Sequence, residues 1–287
     1  MIFELLASNQ LVFILGASVF GLLVGSFLNV VIYRLPIMMQ RGWRAQAREF
    51  LDLPAEPSSV FNLTLPNSQC PSCEHEIRAW ENIPVVSWLA LRGKCSSCKA
   101  RISPRYPLVE LACGVLSGYV AWHFGFTLQA GAVLLLTWAL LAASMIDVDH
   151  QLLPDSIVLP LLWLGLICNT QGLFATLPDA LWGAVFGYLS LWSVYWLFKL
   201  VTGKEGMGYG DFKLLAMLGA WGGWQVLPLT ILLSSVVGAV LGSIALRMQN
   251  AENGTPIPFG PYLAIAGWIA LLWGEQITAS YLRFAHF

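Results

Sequence analysis

Gly131-Ala132-Val133-Leu134-Leu135-Leu136-Thr137-Trp138-Ala139-Leu140-Leu141-Ala142-Ala143-Ser144-Met145-Ile146-Asp147 is an apolar run that closes on an acid. Begun near residue 128, it supplies the roughly 20 residues that an α-helix needs to cross about 30 Å of hydrocarbon. A carboxyl group at the rim of such a helix is costly enough to require a partner or a function. The stretch therefore predicts a membrane-spanning helix and a site at its end.

Working outward, the composition agrees. Of 287 residues, 57% are hydrophobic and 11% charged, and the mean hydropathy of +0.68 excludes an ordinary soluble globule. Apolar runs recur near 11–33, 108–124, 128–146, 156–172, 178–199, 212–222, 226–247 and 258–275. We expect an all-α polytopic membrane protein with about eight transmembrane helices. Gly222, Gly223 and Pro228 divide what is otherwise one apolar stretch too long for a single crossing. The first run has no preceding Lys or Arg and no small-residue cleavage pattern, so it is expected to stay as a helix and not to be removed as a signal peptide.

Basic residues set the expected orientation. Residues 34–106 hold ten Lys or Arg against six Asp or Glu, and Arg34, Arg41 and Arg44 follow a span end, which places this segment on the cytoplasmic side. Counting crossings brings the 147–155 and 200–211 loops to the same side. The opposite loops, 173–177 and 223–225, contain no Lys or Arg, although Arg283 falls on that side too. The expected organisation is a first helix over 1–33, a cytoplasmic domain over 34–106 and a transmembrane domain over 107–287.

Cys70-Pro71-Ser72-Cys73 and Cys95-Ser96-Ser97-Cys98 are two C-x-x-C knuckles with 21 residues between them. That spacing suits a tetrahedral zinc site of the zinc-ribbon type. Two disulfides or idle thiols are the alternatives, the disulfides disfavoured in a reducing compartment. His75 lies close enough in sequence to replace a ligand. Four protein ligands leave no open position for water, so the metal is expected to hold the segment together. Cys113 and Cys168 read as small buried residues, and Leu53 to Ser59 as a linker.

The partner of Asp147 is Asp211, which closes Gly206-Met207-Gly208-Tyr209-Gly210-Asp211 at the edge of another apolar run. If their helices pack together, one carboxyl keeps a proton while the other ionises. Such a pair can activate a water and protonate a peptide carbonyl without a covalent intermediate. The plainer alternatives are a cap for the helix starting at Phe212, or a proton relay or ion pathway. Asp149, Asp155 and Asp179 read as loop or cap residues. Of four histidines only His150 is near the site, and no serine or cysteine nucleophile has a histidine base. Gly21-x-x-x-Gly25, Gly183-x-x-x-Gly187 and Gly238-x-x-x-Gly242 mark close helix contacts. Trp221, Trp224, Trp268 and Trp273 read as interface anchors.

Taken together, Gly25 to Pro36, the two knuckles, Arg105-Tyr106-Pro107-Leu108-Val109-Glu110, the Asp147 to Asp155 loop and Gly208-Tyr209-Gly210-Asp211 resemble the type IV prepilin peptidases. These are bifunctional leader peptidase/N-methyltransferases of the bacterial inner membrane, and the resemblance spans essentially the whole chain. It implies that Asp147 and Asp211 are the catalytic aspartates. It also implies that basic leaders are cut from type IV prepilins and type II secretion pseudopilins, and that the new N-terminal residue is methylated with S-adenosylmethionine. Membrane lipid is then a partner and nucleic acid is not. No G-x-G-x-x-G fingerprint follows a predicted strand, so the donor-binding residues stay unassigned. Within Gly25 to Pro36, Asn29 reads equally well as a side chain bonded across helices. The competing functions are a proton-coupled transporter and a zinc-ribbon assembly factor.

Overall fold

The computed structural model describes residues 2–54, 60–248 and 257–284, which leaves most of the expected linker, residues 55–59, outside the described residues. Helices dominate: α1 (Ile2–Ser8), α2 (Gln10–Phe50), α3 (Val86–Ala90), α4 (Arg105–Phe124), α5 (Leu128–His150), α6 (Asp155–Asn169), α7 (Leu177–Thr202), α8 (Tyr209–Gly222), α9 (Leu227–Met248) and α10 (Gly260–Phe284). Among the described residues, extended pairing is limited to two isolated bridges. Each expected span falls on one of these helices. Four stretches are long and apolar enough to cross a membrane by themselves: α2, α5, α7 and Trp224–Ile244, the last containing α9 to within a turn.

The chain forms two compact units, Met1–Trp138 and Ala139–Phe287, divided within α5. In the first, α2 packs on α4. The contact is backbone-close because Gly21 and Gly25 face Ser117 and Glu110, while Gly114 and Gly118 face Leu22 and Ser18. Asn29 Nδ2 donates to the Tyr106 carbonyl at 3.1 Å, the bond across helices expected of it. The apolar pattern of α2 ends near residue 33, yet the helix continues to Phe50. At 1.5 Å per residue it is about 60 Å long, twice the hydrocarbon thickness, so its basic second half lies beyond a bilayer. Arg34 is buried there and donates to the carbonyls of Asn62 (3.0 Å) and Pro66 (2.6 Å). Phe61 lies under both Arg34 and Arg41, 5.6 and 4.3 Å from ring centroid to guanidinium.

In the second unit, α8 is the hub. Ten of its residues from Asp211 to Trp221 are buried, and α6, α7 and α10 pack around it. A helix apolar on every side is one surrounded by protein. At 14 residues it is about 21 Å long, which explains why its apolar run is short. Side-chain pairs fix directions. Lys213 near the start of α8 meets Asp155 at the start of α6, and Asn169 at the end of α6 bonds Ala220 and Trp221 at the end of α8. These two helices are thus parallel. α7 is antiparallel to them, with Gly183 against Gly219 and Gly187 against Leu215 and Ala216. The chain breaks after α8 at Gly223, whose φ of +77° is cheap only for glycine.

Candidate active site and metal centre

Both acids lie at one end of the second unit. Asp147 is in the last turn of α5 and Asp211 is the third residue of α8. Both are buried, at 6% and 7% exposure. Asp211 is not the cap of its helix, because Gly208 holds that position and the helix begins two residues before it. Its carboxyl lies back against Gly208, with Oδ2 3.8 Å from where a Cβ on that glycine would stand.

Glycines let the surrounding backbone reach the two acids. A Cβ on Gly208 would stand 3.8 Å from Asp211 Oδ2, and one on Gly210 would stand 2.8 Å from the Cβ of Leu153. A Cβ on Gly260 would press on Asp147 Oδ2 at 2.7 Å and approach Leu153 Cδ2 at 3.2 Å. Leu153, 9% exposed, is wedged between the glycine that precedes Asp211 and the glycine that contacts Asp147. The Gly260 N–H, at the start of α10, donates to Asp147 Oδ2 over 2.9 Å. Sequence reasoning missed Gly260. The available signal was Gly260-Pro261, a helix-opening pair at the head of an apolar run.

The Gly206 to Asp211 loop is held from below by aromatic and charged groups. Lys199 Nζ donates to Tyr195 Oη (3.2 Å) and to Glu205 Oε1 (2.8 Å). The Tyr195 ring lies 5.3 Å from Tyr209 and 5.7 Å from Phe212. On the other flank Lys213 grips both oxygens of Asp155 at 2.8 and 2.7 Å, so Asp155 is engaged in an ion pair and does not join the two acids. Asp179 lies at the far end, bonded to Thr176 and to Trp224 Nε1. Asp149 and His150 are exposed. The two expected acids thus sit buried at one end of the unit on either side of Leu153, while Asp155 and Asp179 are engaged elsewhere and Asp149 is exposed.

In the first unit the four knuckle cysteines converge, with all four sulphurs within 4.8 Å of one another. Cys70 to Cys98 is 3.8 Å and Cys73 to Cys95 is 3.9 Å, much longer than the about 2.05 Å of a disulfide. They match the about 3.8 Å edge of a tetrahedron with 2.3 Å metal–sulphur bonds. The two knuckles repeat one local design. Gln69 bridges to Glu76 and Lys94 to Arg101. Cys70 N–H donates to His75 O and Cys95 N–H to Ala100 O. Glu74 and Lys99, each four residues past the first cysteine, take the left-handed φ values of +56° and +62°.

Backbone N–H groups of Cys98 and Ser97 hold the Cys95 thiol down to about 6. The Ala100 N–H acts to lower Cys98, but the Cys73 sulphur, burial and Cys95 push it up to about 11. Four adjacent thiols cannot all ionise unaided, and a dication is what allows it. His75 is not a fifth ligand. Its Nε2 lies 3.2 Å from both Glu81 Oε2 and Ser96 Oγ, tying the first knuckle to the second. The Ser96 hydroxyl and the Arg78 N–H hold Glu81 below the usual carboxylate range.

Comparison with known proteins gives the same division. The bacterial peptidase A24 N-terminal domain matches residues 19–124, and the type IV leader peptidase family matches residues 134–243. A prepilin leader peptidase/N-methyltransferase of Stutzerimonas stutzeri is 83% identical over 98% of this chain and 98% of its own. One from Pseudomonas aeruginosa is 76% identical over 99% of this chain and 98% of its own. One from Aeromonas hydrophila is 58% identical over 92% and 91%. No solved structure matches the chain significantly.

Proposed function

This chain belongs to the prepilin leader peptidase/N-methyltransferase family, and on that premise we propose that it cuts the leader from type IV prepilins between Asp147 and Asp211. What supports the assignment of residues is two buried carboxyls from separate helices at one end of the unit, with Leu153 wedged between the glycine before Asp211 and the glycine against Asp147. The ionised member takes a proton from water, the oxygen attacks the scissile carbonyl carbon, and the protonated member donates to the carbonyl oxygen. Collapse breaks the C–N bond and the proton goes to the leaving amine. Leu153 and the apolar walls of α8 keep bulk water from the acids, which strengthens every charge interaction there.

The same reading has eight membrane crossings in a bacterial inner membrane, with α4, α6, α8 and α10 completing the four self-sufficient spans. The Lys-bearing end of the second unit faces the cytoplasm. A prepilin, or a type II secretion pseudopilin, presents a basic leader on that side and an apolar helix in the bilayer, so its scissile bond arrives laterally at the acids. Zinc is the metal suited to Cys70, Cys73, Cys95 and Cys98. It would supply folding energy to residues 34–106 and leave no position for water. The second activity of the relatives implies S-adenosylmethionine, which supplies the methyl group when bound. Among the described residues no strand–helix–strand unit occurs, so a Rossmann pocket is not what receives it.

The test is to incubate purified protein with a prepilin and S-adenosylmethionine and follow mass. Loss of the leader plus one methyl increment is expected. Asp147→Asn and Asp211→Asn are each expected to abolish the first. Retained cleavage in both variants sinks the dyad. Cleavage in detergent, with no ion gradient, also separates this reading from a proton-coupled transporter.

A further inference from the structure

We propose that Gly260 is a positioning residue for the cleavage reaction, its backbone N–H fixing the orientation of the Asp147 carboxyl at the mouth of α10. The inference rests on Asp147 being one of the two reacting acids. Asp147 lies in the last turn of α5, and a carboxyl there is free to rotate about its terminal torsion unless something grips one oxygen. At 2.9 Å the Gly260 N–H is that grip on Oδ2. It leaves Oδ1 as the oxygen that exchanges a proton with water.

Two features of position 260 serve this contact. The donor is a backbone amide at the first residue of α10, one of the N–H groups that a helix start leaves without an intrahelical acceptor. The residue also has no Cβ, and one placed there would lie 2.7 Å from Oδ2 and 3.2 Å from the Asp147 carboxyl carbon. Any side chain at 260 must therefore displace the carboxylate or the head of α10. Leu153 Cδ2 crowds the same Cβ position at 3.2 Å, so the added methyl meets a second neighbour as well. Pro261 lacks an N–H and cannot substitute as donor from the next position.

The experiment compares Gly260→Ala, which keeps the N–H and adds the Cβ, with an amide-to-ester replacement at residue 260, which removes only the N–H. Both are measured as purified full-length protein on a prepilin, reading kcat and KM separately, alongside thermal stability and methylation of a pilin peptide already cut. Gly260→Ala is expected to lower kcat about 100-fold, the effect of misplacing a reacting group by about an ångström. The ester is expected to lower kcat about 10-fold. In both, KM stays within about 2-fold and methylation of the pre-cut peptide is unchanged. Wild-type kcat in either variant overturns the inference. So does a loss shared equally by cleavage, methylation and thermal stability, which is what a merely structural glycine gives. Asp147→Asn run in parallel separates the layers: if that variant still cleaves, the reading of the dyad itself has failed.

Discussion

Asn169 shows how one side chain can close a helix bundle. Its Nδ2 donates to the carbonyls of Ala220 and Trp221, and its Oδ1 accepts from the N–H groups of Phe174 and Ala175 at 3.0 Å each. At 1% exposure no water replaces those bonds. Asn169→Ala strands backbone groups at the end of α8 and in the following turn, at about 1–3 kcal/mol for each group left unpaired. A fall of several degrees in melting temperature is expected, and Asn169→Asp should fall at least as far near neutral pH, because it sets a buried acceptor against the Ala220 and Trp221 carbonyls. Equal melting of the alanine variant and wild type would refute the four-bond reading. Asp147 and Asp211 were legible in the sequence because a charge beside an apolar run announces itself. Asn169 and Gly260 were not, because their value lies in partners far along the chain: Asn169 in the end of α8, and Gly260 in an acid of α5.

At the scale of elements, apolar runs marked every long helix, while helix ends were legible only where chemistry changes. Gly222-Gly223 and Thr176 stop and start helices by backbone conformation and capping, and the expected breaks coincide with them. α2 outruns its apolar pattern because helix formation does not require apolarity, and residues 34–50 are mostly good helix formers, Leu, Met, Gln, Arg, Ala and Glu. The small-residue pattern of α7 also proved physical. Gly183 and Gly187 meet the backbone of α8, so Gly183→Val must push apart the two helices that hold Asp211 in place. It is expected to cut cleavage more than 10-fold and to lower the melting temperature together. Gly131, with nothing within 4 Å of its Cβ position, should accept alanine without either effect. The two-fold repetition of the knuckles leads to a parallel expectation. Replacing Cys70 or Cys95 by Ser removes a ligand from one shared site, so either change alone should release the metal, read as metal content per chain. Undiminished metal in both variants would end the assignment.

At the scale of the whole molecule, the direction of the second unit follows from its contacts. Asp155 with Lys213, and Tyr195 with Tyr209, gather the 151–154 and 203–208 loops at the end that holds the acids. Asn169 with Trp221, and Asp179 with Trp224, gather the 170–176 and 223–226 turns at the other. Lys199, Lys204 and Lys213 all lie toward the first end, and neither turn at the second contains Lys or Arg. A bilayer with the cytoplasm on the basic side therefore exposes Gln171 to the outside and Lys204 to the inside. Gln171→Cys should react with a membrane-impermeant maleimide added to intact spheroplasts, while Lys204→Cys should react only in inverted vesicles. The labelling is done in a Cys168→Ser parent, because half-exposed Cys168 lies beside Gln171, whereas Cys113 is fully buried and the knuckle thiols belong to the inner side in this reading. Labelling of position 204 in intact spheroplasts would put the acids on the outer face. That would separate them from a basic leader retained inside, and the lateral encounter of prepilin and catalyst would lose its physical basis.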